Sequence, residues 1–229
     1  MKEAAYAVGG DGPTLLHKGT VPYITFPLLT QTGAVRHGFS TRLGGVSSGI
    51  YESMNLDFRC AERRENIWEN YRRITQALGL NMDDLVLSAQ THTTNIRRMT
   101  SADRGKGFFR DRDYTDVDGM ITDEKGVALV GLFADCVPLF FADPVHGAIG
   151  LSHAGWRGTV GKIGAKTVQA MEETFGTDPA DLVCAVGPSI CRDCYEVGAD
   201  VARAIAAAFS VDLSACMQAK TDGGFADAD

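Results

Sequence analysis

The stretch Asp116 to Gly164, DVDGMITDEKGVALVGLFADCVPLFFADPVHGAIGLSHAGWRGTVGKIG, decides the fold. It contains four segments dense in Val, Leu, Ile and Phe, which are typical of buried strands in a mixed sheet, with turn-forming residues between them. Cys136 and His153 each stand at the end of a strongly apolar run. Because open sheets commonly carry reactive side chains at strand ends, these two residues mark a candidate site.

The segments around this stretch alternate between predicted strands and helices. Apolar residues recur at helical spacing from about Arg63 to Leu78, and Gly79 follows as a candidate helix C-cap. The strand predicted next, Leu85 to Gln90, places His92 at its end. The other predicted elements are a hairpin of strands at Tyr23 to Leu29 and Ala34 to Arg42, a Gly-rich loop at Leu43 to Leu56, a charged surface loop at Thr100 to Asp116, a helix at Thr159 to Phe175, a strand at Asp181 to Gly187 and a helix at Asp200 to Phe209.

No internal repeat, low-complexity tract or linker divides the chain, so we expect a single α+β domain. Residues 1–20 are predicted to be a polar leader, residues 21–215 the folded domain and residues 216–229 a polar tail.

The composition is that of an ordinary globular protein, since 45% of the 229 residues are hydrophobic and 22% are charged. The formal net charge of −7 argues against nucleic acid as a partner, because affinity for phosphate backbones requires clustered Lys and Arg. We find no apolar segment of the length of a membrane span or secretory signal, so we expect no membrane partner and a cytoplasmic location. The six cysteines are expected as free thiols, metal ligands or nucleophiles rather than disulfides.

His92, Cys136 and His153 together suit a zinc ion with one open coordination position. Each residue alone has an ordinary alternative, a buried core thiol for the cysteine and a structural role for each histidine. Asp135 before Cys136 and Pro138 after it favour an exposed turn over the middle of a buried strand. The same three residue types also match a kind of copper site, so zinc and copper both stay open.

Arg157 adds a positive charge ahead of a predicted helix, and a helix N-terminus beside an arginine can bind an anion. The alternative is that Arg157 only pairs with a carboxylate. Cys191 and Cys194 form a CxxC pair, but no second pair with metal-ligand spacing follows. We therefore expect a thiol pair near the surface rather than half of a structural zinc site.

Six segments carry a resemblance to a known family. They read HGFSTRLGGVSSGIYESMNL, LSAQTHTTNI, DVDGMIT, LFADCVPLFFADP, GAIGLSHAGWRGTVGKI and GPSICRDCYEVG. The chain resembles the bacterial laccase-domain proteins, also called the polyphenol oxidase or purine nucleoside phosphorylase family, over about residues 20 to 210. The resemblance implies a layered α/β/β/α arrangement with mixed sheets, and it makes residues 21–215 the catalytic domain.

The resemblance also implies a function and a site. It assigns the metal to His92, Cys136 and His153, and substrate or phosphate contacts to Arg42 and Asn55. Asp135 and Arg157 are further pocket candidates in the same motifs. The activities implied are phosphorolysis of adenosine, inosine or methylthioadenosine, and deamination of adenosine. Purine nucleosides and phosphate are the expected partners, and the chain is expected to be a monomer or a homodimer.

The chain departs from the family pattern in two places. Thr93 stands where the family motif QxHG has Gly, and family members continue with a further strand, helix and motif beyond this chain's last residue.

Four-electron reduction of oxygen requires a copper cluster held by many histidines, and this chain has five histidines in all. We therefore rank phenol oxidation below nucleoside chemistry.

The leading hypothesis is thus a zinc-dependent purine nucleoside phosphorylase with adenosine deaminase activity. A second hypothesis makes Cys136 a nucleophile activated by a histidine without a metal, as in a cysteine hydrolase. A third is a binding protein without turnover.

Overall fold

This computed structural model describes residues 12–18, 21–209 and 217, which contain three β-sheets, five α-helices and three short 3₁₀-helices. The strands are β1 (Thr14–Lys18), β2 (Val21–Thr25), β3 (Phe39–Ser40), β4 (Leu85–Leu87), β5 (Ile96–Arg98), β6 (Gly119–Thr122), β7 (Ala128–Val130), β8 (Val137–Asp143), β9 (Ala148–Ala154) and β10 (Val183–Val186). The helices are α1 (Pro27–Gln31), α2 (Arg64–Leu78), α3 (Trp156–Val160), α4 (Ile163–Phe175) and α5 (Ala199–Ala208).

The central sheet has the strand order β10-β8-β9-β6-β5. Its pairs are antiparallel except β5 and β6, which run parallel, so the sheet is mixed as the sequence predicted. β8 and β9 form a long hairpin in which Pro138 lies opposite His153. Because Cys136 directly precedes β8, this register brings the cysteine and the histidine to the same end of the hairpin.

Alternate residues of the strands face different layers. Leu85 of β4 packs with α2, whereas the next residue, Val86, packs with Met120 of the central sheet. The residue after Met120 is Ile121, and it packs with Met171 of α4 on the other side of that sheet. The layers therefore follow the order α2, the parallel β4–β7 pair, the central sheet and α4. The predicted α+β domain with α/β/β/α layers and mixed sheets is confirmed.

Helix α2 follows from its apolar spacing. Ile67, Tyr71 and Ile74 lie on one face and are buried, and Gly79 ends the helix in the left-handed conformation with φ of 69°. Ile67 is fully buried, and burial of a side chain of this size stabilises the fold by about 2 kcal/mol. The helix predicted at Arg63 to Leu78, with Gly79 as its cap, is confirmed within a residue.

The predicted N-terminal hairpin is only partly right. The strand predicted to continue to Leu29 ends at Thr25, because Pro27 begins helix α1, and proline favours the first position of a helix. The antiparallel pairing itself is present, since Tyr23 of β2 lies opposite Ser40 of β3, but the strand predicted at Ala34 to Arg42 is limited to Phe39–Ser40. Strand β1 falls within residues 1–20, which were predicted to be a polar leader. The predicted polar tail, residues 216–229, lies outside the described residues apart from Met217.

The helix predicted at Thr159 to Phe175 is divided in two. Helix α3 begins three residues earlier, at Trp156, and α4 begins at Ile163 after Lys162, whose φ of 60° is incompatible with a continuous helix. None of the described helices is both long enough and apolar enough to cross a membrane.

Candidate metal centre

Three separate elements bring His92, Cys136 and His153 together. His92 lies in the loop after β4, Cys136 directly precedes β8 and His153 is the next-to-last residue of β9. Their possible ligand atoms all lie within 4.8 Å of one another, and Sγ of Cys136 is 3.8 Å from Nε2 of His92. The two imidazole rings meet edge to face with centroids 4.9 Å apart. Two nitrogens and one sulfur thus surround a single point.

A buried carboxylate, Asp118, organises this cluster from behind. It is 1% exposed and accepts hydrogen bonds from the backbone N–H groups of Thr91, His92 and Thr93 at 3.1, 3.0 and 2.8 Å. It also accepts from the Thr93 hydroxyl at 2.9 Å and from Nδ1 of His153 at 2.7 Å. The three successive backbone donors hold the loop in the shape that gives His92 its φ of 67°. Asp118 therefore fixes both histidines.

The bond to Asp118 also fixes the tautomer of His153. A carboxylate accepts only from a protonated nitrogen, so Nδ1 of His153 carries the hydrogen and Nε2 keeps its lone pair for the cluster. Burial lowers the pKa of His153, although the bond to Asp118 acts in the opposite direction. Burial by itself would raise the pKa of Asp118, but the hydrogen bonds from His153, Thr91 and Thr93 outweigh it and hold that pKa below its ordinary value. The pair is thus a neutral imidazole on an ionised carboxylate, which is the form that binds metals.

The surroundings of Cys136 favour a cation. Burial raises the pKa of its thiol, and the negative charges of Asp135 and Asp118 raise it further. A bare thiolate is disfavoured in this field, whereas a bound metal ion would supply the compensating positive charge.

Gly155 leaves the space in which the cluster sits. A Cβ atom at this position would lie 2.7 Å from Cδ2 of His92 and 3.2 Å from Sγ of Cys136. Both separations are shorter than ordinary contacts, so no side chain fits without displacing a ligand. On the other side, the ring of Phe133 packs against His153 with centroids 5.6 Å apart.

The four predicted substrate residues occupy different surroundings. Arg42 is exposed and donates from Nε and Nη2 to the carbonyl oxygen of Glu52 at 3.3 and 2.8 Å. The side chain of Asn55 donates to Cys60 and to the carboxylate of Glu62.

The other two predicted residues lie beside the cluster in sequence. Asp135 is exposed next to Cys136, and its carbonyl oxygen accepts from the backbone N–H of Ile190 at 3.0 Å. Arg157 is exposed, and its guanidinium lies 4.2 Å from the ring centroid of Trp156. Helix α3, which carries Arg157, has only five residues, so a strong helix-dipole contribution to anion binding is not expected.

A cavity of about 890 Å³ lies next to the cluster. Asn55 lines this cavity, and so does Phe133, which also contacts His153. His37 lines it as well, but its Nε2 accepts a hydrogen bond from the backbone N–H of Phe26 at 2.9 Å. This bond, with burial that lowers the pKa of His37, marks a structural histidine.

Asp118 and Gly155 were not predicted from the sequence. Asp118 directly precedes the buried strand β6, and an acidic residue beside a buried strand signals a specific partner. Gly155 directly follows β9, where a small residue is also an ordinary strand end. Its role depends on the approach of His92, which comes from a distant part of the chain.

An α+β domain with a His/Cys/His cluster backed by a buried carboxylate defines a class of proteins with a site suited to one metal ion. The chain belongs to the family described as multi-copper polyphenol oxidoreductase laccase, whose family model matches residues 36–228. The predicted family is therefore confirmed.

Curated relatives in this family bear the name purine nucleoside phosphorylase. The chain is 39% identical over 188 residues to purine nucleoside phosphorylase YlmD of Bacillus subtilis, covering 80% of this chain and 66% of that protein. It is 43% identical over 183 residues to purine nucleoside phosphorylase of Deinococcus radiodurans, covering 80% of this chain and 68% of that protein. The chain thus spans about two thirds of the length of these relatives.

The fold is similar to that of a solved relative. The crystal structure of YlmD from Geobacillus stearothermophilus matches with a TM-score of 0.76 and 32% sequence identity, covering 86% of this chain and 72% of that one.

Proposed function

We propose that this protein is a zinc-dependent purine nucleoside phosphorylase that also deaminates adenosine. The proposed substrates are phosphate and adenosine, inosine or methylthioadenosine, and the products are the free base and the pentose 1-phosphate. The names of the curated relatives support the phosphorylase part of this proposal. The observation that carries it is the convergence of His92, Cys136 and His153 on one point, with Asp118 behind them.

The three side chains fit a zinc ion. In a tetrahedral site with zinc bonds of about 2.0–2.1 Å to nitrogen and 2.3 Å to sulfur, neighbouring N and S ligands lie about 3.6 Å apart. The 3.8 Å between Cys136 and His92 is close to that separation. Three protein ligands leave a fourth position open, which is the arrangement of catalytic zinc sites. Copper accepts the same ligand types, so the choice of zinc is part of the proposal.

A bound ion would act as a Lewis acid and lower the pKa of a water or orient a phosphate. In phosphorolysis an oxygen of phosphate bonds to C1′ of the sugar, the bond from C1′ to the base breaks, and the base leaves with the electron pair and gains a proton. The exposed guanidinium groups of Arg42 and Arg157 are proposed to bind phosphate, since arginine matches its geometry. Asn55 and Asp135 are proposed to contact the nucleoside. In the deamination, water replaces the exocyclic amine of adenine and ammonia leaves.

The test is a pair of incubations of the metal-loaded protein with adenosine. With phosphate, the proposal predicts adenine and ribose 1-phosphate, with ribose 1-phosphate equal to the sum of adenine and of the hypoxanthine released from inosine. Without phosphate, it predicts inosine and ammonia. Inosine formation alone would retain the deaminase and reject the phosphorylase. No product from folded, metal-loaded protein would contradict the enzyme proposal and favour a binding protein.

The second candidate is a cysteine hydrolase in which Cys136 attacks the substrate without a metal. The 3.8 Å between its thiol and His92 favours such a pair. Burial and the neighbouring carboxylates, which raise the pKa of this thiol, act against it. Activity that survives complete removal of metal would support the hydrolase.

Polyphenol oxidation is the third candidate, favoured by the family description. Among the described residues, the one cluster of three or more possible ligands holds a single pair of histidines, fewer than a multicopper centre requires. Oxygen uptake with a phenol and copper-loaded protein would support it. A cytoplasmic location and a monomeric or homodimeric state stay predictions.

A further inference from the structure

Two thiols that the proposed reaction does not use stand together on the loop after β10. Cys191 and Cys194 are both exposed. The backbone N–H of Cys194 donates to the carbonyl oxygen of Cys191 at 3.1 Å, which closes a turn. Such a turn brings its first and last Cα atoms within about 7 Å, and disulfides join Cα atoms about 4.4–6.8 Å apart. The backbone therefore already holds the pair at a separation that a disulfide can span.

The two thiols differ in acidity. A hydrogen bond from the thiol of Cys194, together with backbone N–H groups of Cys194 and Asp193, lowers the pKa of Cys191. The same interaction raises the pKa of Cys194. In dithiols that undergo exchange, the more acidic thiol attacks and its partner resolves the mixed disulfide. The pair has this asymmetry in addition to its geometry.

The loop that carries the pair borders the candidate metal centre. Directly before Cys191, the backbone N–H of Ile190 donates to the carbonyl oxygen of Asp135 at 3.0 Å. The residue before the pair is thus hydrogen-bonded to the residue before Cys136, which places the pair beside the metal centre.

We propose that Cys191 and Cys194 form a redox-active dithiol that exchanges with disulfides beside the metal centre. The thiolate of Cys191 attacks one sulfur of a low-molecular-weight disulfide, whose S–S bond breaks and whose other half leaves as a thiolate that takes a proton from water. Cys194 then loses its proton to water and attacks Sγ of Cys191, which releases the second half as a thiolate that takes a proton from water. Two electrons pass from the pair to the small disulfide, which is reduced to two thiols. This proposal does not depend on the proposed phosphorylase activity.

The chain offers a matched control in Cys184. This cysteine is also exposed as a residue, but it lies on β10, and partial burial of its thiol raises its pKa, whereas hydrogen bonds lower the pKa of Cys191. If exposed cysteines oxidise in general, Cys184 should oxidise as much as the pair. If Cys191 and Cys194 form a specific dithiol, Cys184 should stay reduced while the pair oxidises.

Arg192 lies between the two cysteines and allows a direct test. The protein is equilibrated with mixtures of reduced and oxidised glutathione, free thiols are alkylated, and the chain is cleaved with trypsin without reductant. Cleavage after Arg192 separates peptides 167–192 and 193–203 unless a disulfide joins them. We expect the joined pair, two hydrogens lighter than the sum of the peptides, to increase with the oxidised fraction of glutathione.

The joined peptides are expected in the wild-type protein and in Cys184→Ser, and they are expected to disappear in Cys191→Ser and Cys194→Ser. Because peptide 167–192 also contains Cys184, these variants show which cysteine forms the link. Absence of the link in fully oxidised glutathione, or its persistence in Cys191→Ser, would overturn the proposal. The wild-type titration and the Cys184→Ser result remain decisive if the other serine variants do not fold.

A second measurement on wild-type protein uses alkylation rates at neutral pH. Cys191 is expected to react several-fold faster with iodoacetamide than Cys184, because more of it is thiolate. Equal rates would contradict the role of Cys191 as the attacking thiol.

Discussion

Replacement of Asp118 by Asn tests how the metal centre is held. The side-chain oxygen of the asparagine is expected to take the position that accepts hydrogen bonds from Thr91 and Thr93. Its NH₂ group then faces two other donors, the backbone N–H of His92 and Nδ1 of His153. His153 can relieve the conflict by moving its hydrogen to Nε2, since Nδ1 can then accept from the amide. Nε2 would then no longer be able to bind a metal.

The magnitude follows from these contacts. The loss of a partner for a ligand's second nitrogen lowers metal affinity by about 10- to 100-fold. The unpaired backbone N–H of His92 lowers the free energy of unfolding by about 1–3 kcal/mol. We expect zinc affinity, measured by competition with a chromophoric chelator, to decrease by about 10- to 100-fold. Nitrogen NMR of the imidazoles is expected to report the changed tautomer of His153.

Asp116→Asn is the matched control. Asp116 accepts a hydrogen bond from the hydroxyl of Thr91 at 2.7 Å, so it supports the same loop, but it is exposed. Its φ of 54° suits asparagine, and we expect unchanged zinc affinity. Zinc affinity of Asp118→Asn equal to the wild type, with the original tautomer, would refute the role assigned to Asp118.

Three other substitutions have defined outcomes. Gly155→Ala is expected to reduce zinc affinity at least tenfold while the domain stays folded, because its Cβ would lie 2.7 Å from the ring of His92; unchanged affinity in a chelator competition would contradict this. Thr93→Gly removes the hydroxyl bond to Asp118 and adds backbone freedom, so urea unfolding should show a loss of about 2 kcal/mol, and a stabilised variant would disprove it. Glu69, whose bonds to two arginines lower its pKa from 4.5 to about 2, stabilises the fold above pH 4.5 and loses this effect as pH falls towards 2. Glu69→Gln should therefore lose about 0.5 kcal/mol at pH 7 and less near pH 3, and a loss that grows on acidification would reject this assignment.

The layers of the fold were predictable where local patterns coincide with packing. The 3.6-residue spacing of Ile67, Tyr71 and Ile74 and the Gly79 cap determine α2 without help from the rest of the chain. The apolar runs of β8 and β9 likewise identify buried strands. The helix at Pro27 was not predicted, because its short sequence has no period and only the proline signals a helix start.

The three candidate ligands of the metal centre were predictable from the sequence, but the carboxylate that holds the two histidines in place was not. His92, Cys136 and His153 have side chains that commonly bind metals, and each stands near a strand end. The role of Asp118 depends on donors from a loop some 25 residues earlier and from a strand 35 residues later, a combination that spacing along the chain does not reveal. The break at Lys162 was also missed, since its left-handed backbone has no residue signal.

The central claim is that one metal ion at the His/Cys/His cluster supports turnover of purine nucleosides. Its most direct measurement is a zinc titration of chelator-treated protein, with bound zinc and phosphate-dependent release of adenine from adenosine followed on the same samples, and with Cys136→Ala beside the wild type. The account predicts one zinc per wild-type chain, adenine release that rises in proportion to bound zinc, and the loss of both in Cys136→Ala. Full adenine release from metal-free wild-type protein, or equal release from Cys136→Ala, would contradict it.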